Sequence, residues 1–138
     1  MRGGFFVSEG YLGRAWPDDM SYRKPMDEMR YMLNGDRVDA GSYMVSGEDP
    51  ALLRGRAVFE TLRTYHGRLF RVDEHLARLM GSAEALGVSP PAPGVLAEEL
   101  EDLVASYPQP AKVNVILTGG GARLIRVAPL DKAKVGAP

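Results

Sequence analysis

The fold of this protein is decided by residues 55–79, which read GRAVFETLRTYHGRLFRVDEHLARL. From Ala57 to Tyr65, alternate residues separate into two sets, as they do when a β-strand sends successive side chains to opposite faces of a sheet. The two sets are Phe59, Thr61, Arg63, Tyr65 and Val58, Glu60, Leu62, Thr64. His66-Gly67 then predicts a tight turn into a second strand, Arg68 to Val72.

Two amphipathic helices are predicted after this hairpin. Asp73 occupies a typical N-cap position for the first helix, and Gly87 a typical C-terminal position. Apolar residues recur at helical spacing in both helices. They are Leu76, Leu79, Met80, Ala83 and Leu86 in the first helix, and Leu96, Leu100, Leu103 and Val104 in the second. The acidic residues Glu98, Glu99, Glu101 and Asp102 are interpreted as a solvated face of the second helix.

Further strands are predicted before and after the helices. In chain order they are Arg30 to Leu33, Arg37-Val38 after the turn Asn34-Gly35, Tyr43 to Val45, Lys112 to Thr118, and Arg123 to Val127. Strands that cluster on both sides of two helices, rather than alternating with them, favour the α+β class. We therefore predict a two-layer sandwich, in which a mostly antiparallel sheet carries two helices on one face.

Composition limits the classes of function. At 138 residues the chain fits one domain, and its formal net charge of −1 argues against a general nucleic-acid binder. With no cysteine it has no disulfide and no thiolate metal site, which fits a cytoplasmic protein. No apolar run approaches the roughly 20 residues that span a membrane. We therefore expect neither nucleic acid nor membrane as a partner, and no metal site.

The first 28 residues differ from the rest of the chain. They mix glycine, charged and aromatic residues without a strand or helix period, and Pro17 and Pro25 interrupt them. We interpret residues 1–28 as an extension that is poorly ordered or docked on a partner. The domain itself is predicted to run over residues 29–128.

One strand face carries a candidate binding surface. Phe59, Thr61 and Arg63 combine apolar surface, a hydroxyl and a guanidinium on one side of the predicted sheet. Such a face suits a small amphipathic acid, whose carboxylate Arg63 could hold in a bidentate contact. Spacing alone favours the plainer interpretation, in which Phe59 is a core residue and Arg63 lies on the surface.

Arg78 is the second candidate. It lies on the flank of the first helix's apolar stripe, where it could reach a phosphate beside the sheet, or where its stem could simply cover apolar surface. The run Gly119-Gly120-Gly121 is a weak signal for a phosphate loop, and no Gly-Lys-Ser/Thr follows it. We interpret the glycine run as a flexible turn.

Residues 58–70, together with Glu-His-Leu-Ala-Arg-Leu at 74–79 and Ser-Ala-Glu-Ala-Leu-Gly-Val at 82–88, resemble the N-terminal signature of class IV aminotransferases. That family includes branched-chain aminotransferases, D-amino-acid aminotransferases and 4-amino-4-deoxychorismate lyases. The resemblance runs from about Met29 to Pro138. It couples a strand, a turn, a strand and a helix at fixed distances, which makes the compound pattern specific.

The resemblance implies a cofactor, pyridoxal 5'-phosphate, and a role for several residues. Arg78 stands at the position that binds the cofactor phosphate, and Phe59, Thr61 and Arg63 stand at positions that face the substrate, an amino acid or a 2-oxo acid. Glu60, on the opposite face of the strand, is expected to be structural. Family members are usually homodimers, so we expect a homodimer or a self-associating chain.

The resemblance also implies that a catalytic lysine is missing. The family's Schiff-base lysine lies in a C-terminal domain, and none of Lys24, Lys112, Lys132 and Lys134 matches its position. Residues 129–138 resemble the start of the interdomain linker. We therefore expect the chain to be the N-terminal half of an aminotransferase, inactive by itself, with the lysine beyond Pro138.

Substrate choice stays open at this stage. Branched-chain members carry Tyr-x-Arg where this chain reads Lys112-Val113-Asn114, which weakens the branched-chain assignment. The alternatives are a fragment of a 4-amino-4-deoxychorismate lyase, or a non-catalytic binding or assembly module that has kept the fold.

Overall fold

The structure is a computed structural model that describes residues 28–130. The predictions for the N-terminal extension, apart from residue 28, and for residues 131–138 of the expected linker lie outside the described residues. The strands are β1 (Arg30–Leu33), β2 (Asp36–Val38), β3 (Ala57–Tyr65), β4 (Arg68–Leu69), β5 (Ala111–Thr118) and β6 (Arg123–Pro129). The helices are α1 (Pro50–Arg54), α2 (Val72–Leu86) and α3 (Pro93–Val104), and Ala40–Ser42 form a 3-10 turn.

All six strands join one sheet in the order β2-β1-β6-β5-β3-β4, and every neighbouring pair is antiparallel. The core lies between one face of this sheet and the helices α2 and α3. Its largest fully buried apolar side chains are Leu62, Leu79, Leu96, Leu100, Leu103, Val113, Val115, Leu117, Ile125 and Val127. Each contributes about 1.5–3 kcal/mol by leaving water. The α+β two-layer prediction is confirmed.

Both predicted tight turns are confirmed, and left-handed backbone explains their residues. Asn34 (φ 52°) and Gly35 (φ 91°) join β1 to β2, and His66 (φ 51°) and Gly67 (φ 79°) join β3 to β4. Two consecutive positive φ values define the hairpin turn whose twist matches that of the strands. Asparagine and glycine tolerate this conformation at low cost, which is why Asn-Gly is such a reliable turn signal.

The predicted N-cap of the first long helix is wrong by two residues. The helix α2 begins at Val72, and the residue before it, Arg71, adopts a left-handed conformation (φ 56°) without a side-chain cap. The strand β4 is correspondingly shorter than predicted, because the chain turns into the helix at this point. Asp73 lies instead in the first turn, where its carboxylate favours the positive end of the helix dipole. Gly87 ends the helix as predicted.

The segment 43–45 is not a strand, contrary to the prediction. It follows the 3-10 turn, where the carboxylate of Asp39 accepts the backbone N–H of Ser42. The ring of Tyr43 then stacks against Tyr31 on β1, with 4.8 Å between the ring centroids. Tyr43 therefore reaches the sheet through its side chain, and its backbone joins no strand pair.

Two predictions about helix faces also need correction. Glu99 does not lie on a solvated face, because its carboxylate is mostly buried and pairs with Arg123 at 2.7 Å. That ion pair fixes α3 to the start of β6. Leu86 was predicted to face the core, but it is 44% exposed at the last position of α2.

The glycine run after β5 forms a tightly bonded turn. The N–H of Gly119 donates to the carbonyl of Arg56, that of Gly120 to the carboxylate of Asp49, and that of Gly121 to the carbonyl of Thr118. A phosphate loop needs amide groups that are free to point at the anion. All three amides are engaged within the chain, so this turn is structural.

Asp49 organises that turn. Its carboxylate accepts the N–H of Ala51 as the N-cap of α1, the hydroxyl of Thr118 at 2.7 Å, and the N–H of Gly120. The hydrogen bond from Ala51, ahead of those from Thr118 and Gly120, holds the pKa of Asp49 below its ordinary value. The short helix α1, which the sequence analysis did not predict, is thereby tied to the end of β5.

We expect Gly120→Ala to destabilise the fold. A Cβ at position 120 would lie 2.6 Å from Oδ2 of Asp49, a carboxylate that its hydrogen bonds hold in place. Overpacking of this kind costs about 1–3 kcal/mol of unfolding free energy, measurable by urea denaturation. Gly47→Ala is the control, because a Cβ there meets nothing within 4 Å. Equal stability of the two variants would contradict the proposed clash.

Candidate functional site

The side chains of β3 alternate between two surfaces of the sheet. Val58, Leu62 and Thr64 are buried under the helices, whereas Phe59 is 70% exposed and Thr61 is exposed on the opposite surface. We call this second surface, which no helix of the described residues covers, the open face. The structure therefore brings Phe59, Thr61 and Arg63 together on one face, as predicted.

Cross-strand register arranges the open face in rows. Phe59 pairs with Ile116 and then Leu124, which makes an apolar row. In the next row Thr61 pairs with Asn114, and Asn114 with Arg126 and then Tyr31. Directly paired residues lie about 4.5–5.5 Å apart and interact with one another. The open face thus offers an apolar row beside a polar one.

The open-face side chains on β3 already have local partners. The amide nitrogen of Asn114 donates to the hydroxyl oxygen of Thr61 at 3.0 Å, which leaves the Thr61 O–H free to donate elsewhere. The guanidinium of Arg63 lies 3.7 Å from the ring centroid of Tyr65, and its Nε donates to the carbonyl of Thr64. Arg63 therefore lies against an aromatic ring rather than extending into solvent.

Arg78 lies on the helix side of the sheet and forms an ion pair with Glu60. Its Nε donates to the Oε2 of Glu60 at 2.9 Å, and this hydrogen bond is the main reason that the pKa of Arg78 is raised. Glu60 is only 14% exposed, whereas the side chain of Arg78 is 65% exposed. The carboxylate thus holds the inner edge of the guanidinium and leaves the outer edge in solvent.

His75 adds a second contact to Arg78. The Nη2 of Arg78 lies 3.1 Å from Nδ1 of His75, one helical turn earlier. A guanidinium has only donors, so this contact is a hydrogen bond in the tautomer whose Nδ1 accepts and whose ring proton sits on Nε2. Five donors minus these two contacts leave three N–H groups of Arg78 without a partner among the described residues.

The sequence predicts a structural role for Glu60, and its ion pair with Arg78 is found only in the structure. One signal for this pair was present in the sequence. The residues on the helix-facing side of β3 are Val58, Glu60, Leu62 and Thr64, and only Glu60 carries a charge. A carboxylate at such a position needs a partner, because an unpaired buried charge is costly. The helix register that supplies Arg78 as this partner could not be read from the strand alone.

Arg78, the predicted phosphate-binding residue, lies on the helix side of the sheet, whereas the predicted substrate-facing residues lie on the open face. The two groups approach each other only at the edge of the sheet. β4 pairs with β3 at Thr64 and Tyr65, and Phe70 then donates to the carbonyl of Arg63. By alternation, the backbone N–H and C=O groups of Phe59 and Thr61 point to the same edge. No strand of the described residues covers this edge at those two positions.

A groove of about 450 Å³ lies beyond the C-terminal end of β3. Its walls include Arg63, Tyr65, His66, Tyr107, Pro108 and Pro110. It extends the open face past Arg63 without reaching Arg78. In the part of the chain that the structure describes, no helix is long and apolar enough to cross a membrane, and no cluster of three or more His, Asp or Glu could hold a metal ion.

We expect Glu60→Gln to weaken the hydrogen bond that holds the guanidinium of Arg78 in place. The glutamine keeps the shape but loses the charge that strengthens the hydrogen bond to Nε. Hydrogen exchange of the Arg78 Nε–H, followed by ¹⁵N NMR, should therefore become several-fold faster. Glu84→Gln is the matched control, because Glu84 is exposed on the same helix and is not among the groups that shift the pKa of Arg78. Equal exchange rates in the two variants would refute the positioning role of Glu60.

The chain is similar to known aminotransferases. Residues 57–135 match the family model described as amino-transferase class IV. A D-alanine aminotransferase from Staphylococcus haemolyticus is 35% identical over 91 residues, which are 66% of this chain and 30% of that protein. A putative branched-chain-amino-acid aminotransferase from Methanocaldococcus jannaschii is 35% identical over 115 residues, 80% of this chain and 38% of that protein. The chain thus spans about a third of the length of these relatives.

Solved structures share the fold. A hypothetical aminotransferase from Mycobacterium tuberculosis, in its apo form, superposes with a TM-score of 0.71 at 23% identity, over 79% of this chain and 42% of that one. Its PLP-bound form gives a TM-score of 0.68 at 24% identity, over 78% and 42%. The family match covers more than half of the residues, and it includes β3, α2 and the Glu60–Arg78 pair. The protein belongs to the class IV aminotransferase family.

Proposed function

We propose that this chain is the phosphate-binding and substrate-facing part of a pyridoxal-phosphate-dependent aminotransferase. The complete enzyme would move an amino group between an amino acid and a 2-oxo acid. The observation that carries the proposal is the Arg78 guanidinium, which Glu60 and His75 hold from within while its outer N–H groups stay exposed.

The donor chemistry at Arg78 fits the phosphate of this cofactor. A phosphate takes two parallel N–H···O contacts from a guanidinium, and three N–H groups of Arg78 have no partner among the described residues. Glu60 neutralises one charge, but it does so from the buried side, where it also fixes the direction of the guanidinium. Preorganisation of this kind lowers the entropy cost of binding.

The uncovered edge of β3 supports a single site rather than two. At this edge Arg78, on the helix side, would hold the phosphate of the cofactor, and Thr61, on the open face, would lie on the substrate side of the same site. The edge groups of Phe59 and Thr61 would face it, because no strand covers them in the described region. Arg63, on the same open face, would lie beyond Thr61 on the substrate side.

Pyridoxal phosphate, when bound, withdraws electrons from the substrate's α-carbon and so makes the amino group transferable. The residues of this chain would bind and orient. Arg78 would hold the phosphate, Phe59 would contact the apolar part of the substrate, and Thr61 would donate its free hydroxyl. Arg63, stacked on Tyr65, would supply positive charge for a substrate carboxylate.

Proton transfer at the α-carbon needs a lysine. Lys112 is the one lysine of the described residues, and it lies on the open face in register with Arg63, away from Arg78. We propose that Lys112 is not the catalytic lysine, and that this lysine comes from outside the described residues.

We expect Arg78→Gln to abolish the contribution of phosphate to ligand binding. Pyridoxine 5'-phosphate is the probe, because it lacks the aldehyde that any lysine could capture, and pyridoxine is its phosphate-free counterpart. Calorimetry on the chain should show tighter binding of the phosphorylated compound, and the variant should lose about 10-fold or more of that preference.

Arg71→Gln is the control for this measurement. Arg71 precedes the same helix, carries the same charge and is exposed, but it contacts Glu74 and the ring of Phe70 instead of Glu60. Its variant should bind pyridoxine 5'-phosphate like the unmodified chain. Equal binding of the two ligands by the unmodified chain, or equal losses in the two variants, would contradict the assignment of Arg78.

We further propose that the protein is a homodimer, located in the cytoplasm. Leu52 and Leu53 on α1 are 63% and 59% exposed, an apolar patch that a stable interface of roughly 1,200 Å² or more would cover. Sedimentation should show association that Leu52→Ser with Leu53→Ser weakens about 10-fold or more. Val95→Ser, at an exposed valine on α3, is the control. A strictly monomeric chain would exclude the dimer, and recovery from a membrane or periplasmic fraction would exclude the location.

A further inference from the structure

Three hydrogen-bond donors on the open face lack a good acceptor. The hydroxyl of Tyr31 and the Nη2 of Arg126 both point to the sulfur of Met29, at 3.2 Å and 3.5 Å. A thioether sulfur is a weak acceptor. The hydroxyl of Tyr43 is buried and has no hydrogen-bond partner among residues 28–130. The cluster formed by Tyr31, Tyr43 and Arg126 is therefore rich in hydrogen-bond donors and poor in acceptors.

These side chains converge because of register and stacking. Tyr31 on β1 pairs directly with Arg126 on β6, so both project from the open face. The ring of Tyr43 packs against that of Tyr31, with the centroids 4.8 Å apart and the planes tilted by 44°. Tyr31 and Arg126 are half-buried and partly open to a small solute, whereas the hydroxyl oxygen of Tyr43 has almost no exposed surface, so a ligand meets it only after neighbouring side chains shift.

The charge of the cluster is positive and uncompensated by the described residues. No carboxylate among residues 28–130 lies within salt-bridge distance of Arg126. Burial raises the pKa of Tyr43 to about 12, although the Arg126 guanidinium opposes the shift. Tyr43 is thus neutral at physiological pH and offers a proton rather than a negative charge. Buried donors of this kind normally have partners.

We propose that Arg126, Tyr31 and Tyr43 form a binding subsite for the carboxylate of a small organic acid. A carboxylate accepts up to four hydrogen bonds and supplies the negative charge that the cluster lacks. Arg126 can bind both oxygens and the hydroxyl of Tyr31 can donate to one of them, and the hydroxyl of Tyr43 can complete the coordination once it is uncovered. Neither tyrosine needs to ionise.

The position of the subsite separates it from Arg78. Arg126 lies two strands from Thr61 on the same face, roughly 10 Å away at the usual strand spacing. Asn114 lies between them and is already bonded to Thr61. The subsite therefore stands beside the proposed substrate-facing surface. It requires neither cofactor binding nor the function proposed for Arg63.

Propionate and its neutral analogue propanamide are the probes for this subsite. NMR spectra of the ¹⁵N-labelled chain, recorded at constant ionic strength, should show saturable shifts of the Arg126 Nε–H and of neighbouring β1 and β6 amides with propionate alone. Arg126→Gln should weaken propionate binding by about 10-fold or more, and Tyr43→Phe by about 3- to 10-fold. Arg126→Lys keeps the charge but loses the fork, so it should fall between these variants and the unmodified chain.

The control is Lys112→Gln, which removes a cation from the same face one strand away. It should bind propionate within about twofold of the unmodified chain, since it makes no contact with the carboxylate in this proposal. The amide spectrum of each variant verifies its fold. Arg78→Gln should leave propionate binding unchanged, which keeps this test separate from the test of cofactor binding.

Four outcomes would overturn the subsite. They are the absence of a saturable shift, equal binding of propionate and propanamide, an equal loss in Lys112→Gln and Arg126→Gln, and full binding by an Arg126→Gln variant that is folded. The third outcome would mean that propionate responds to general positive charge on the open face. None of the four bears on whether Arg78 binds phosphate.

Discussion

The burial of Leu62 fixes the register of β3, and the positions of the proposed site residues follow from that register. Because side chains alternate along a strand, a slip of one residue would expose Leu62 and bury Phe59, Thr61 and Arg63. The same slip would remove Glu60 from beneath α2 and leave Arg78 without its ion pair. The apolar core and the candidate site are therefore two results of one constraint.

Glu60 shows how a site can be built from a position that looks unfavourable. A carboxylate on the core side of a strand costs desolvation energy unless a cation and hydrogen bonds compensate for it. Arg78 provides that compensation, while its own stem lies on the helix and its outer edge remains in solvent. Burial of the Glu60 carboxylate lowers the stability of the fold somewhat. The same contact orients the guanidinium of Arg78 before any ligand binds.

Sequence reasoning reached the parts of the fold that local patterns govern. The period-2 alternation of β3, the Asn34-Gly35 turn and the Gly87 helix end were each predicted from a few adjacent residues. It failed where the outcome depended on distant partners. Arg123, which lies 24 residues from Glu99 along the chain, draws that glutamate out of solvent. Arg71 starts α2 through a left-handed backbone that no capping pattern announces. The contacts among Met29, Tyr31, Tyr43 and Arg126 likewise depend on strand pairing and stacking.

The contact between Asp49 and Gly120 limits the order in which these two positions can be substituted. The carboxylate occupies the space that a side chain at position 120 would need, and the N–H of Gly120 is one of the groups that fix the carboxylate. Each residue is thus permitted by the other. Replacement of Asp49 by a smaller residue would remove the clash and allow a side chain at position 120. A side chain introduced first at position 120 would clash with the carboxylate of Asp49, which is still held by its hydrogen bonds. Substitution at the two positions is therefore expected in one order, with Asp49 changing before Gly120.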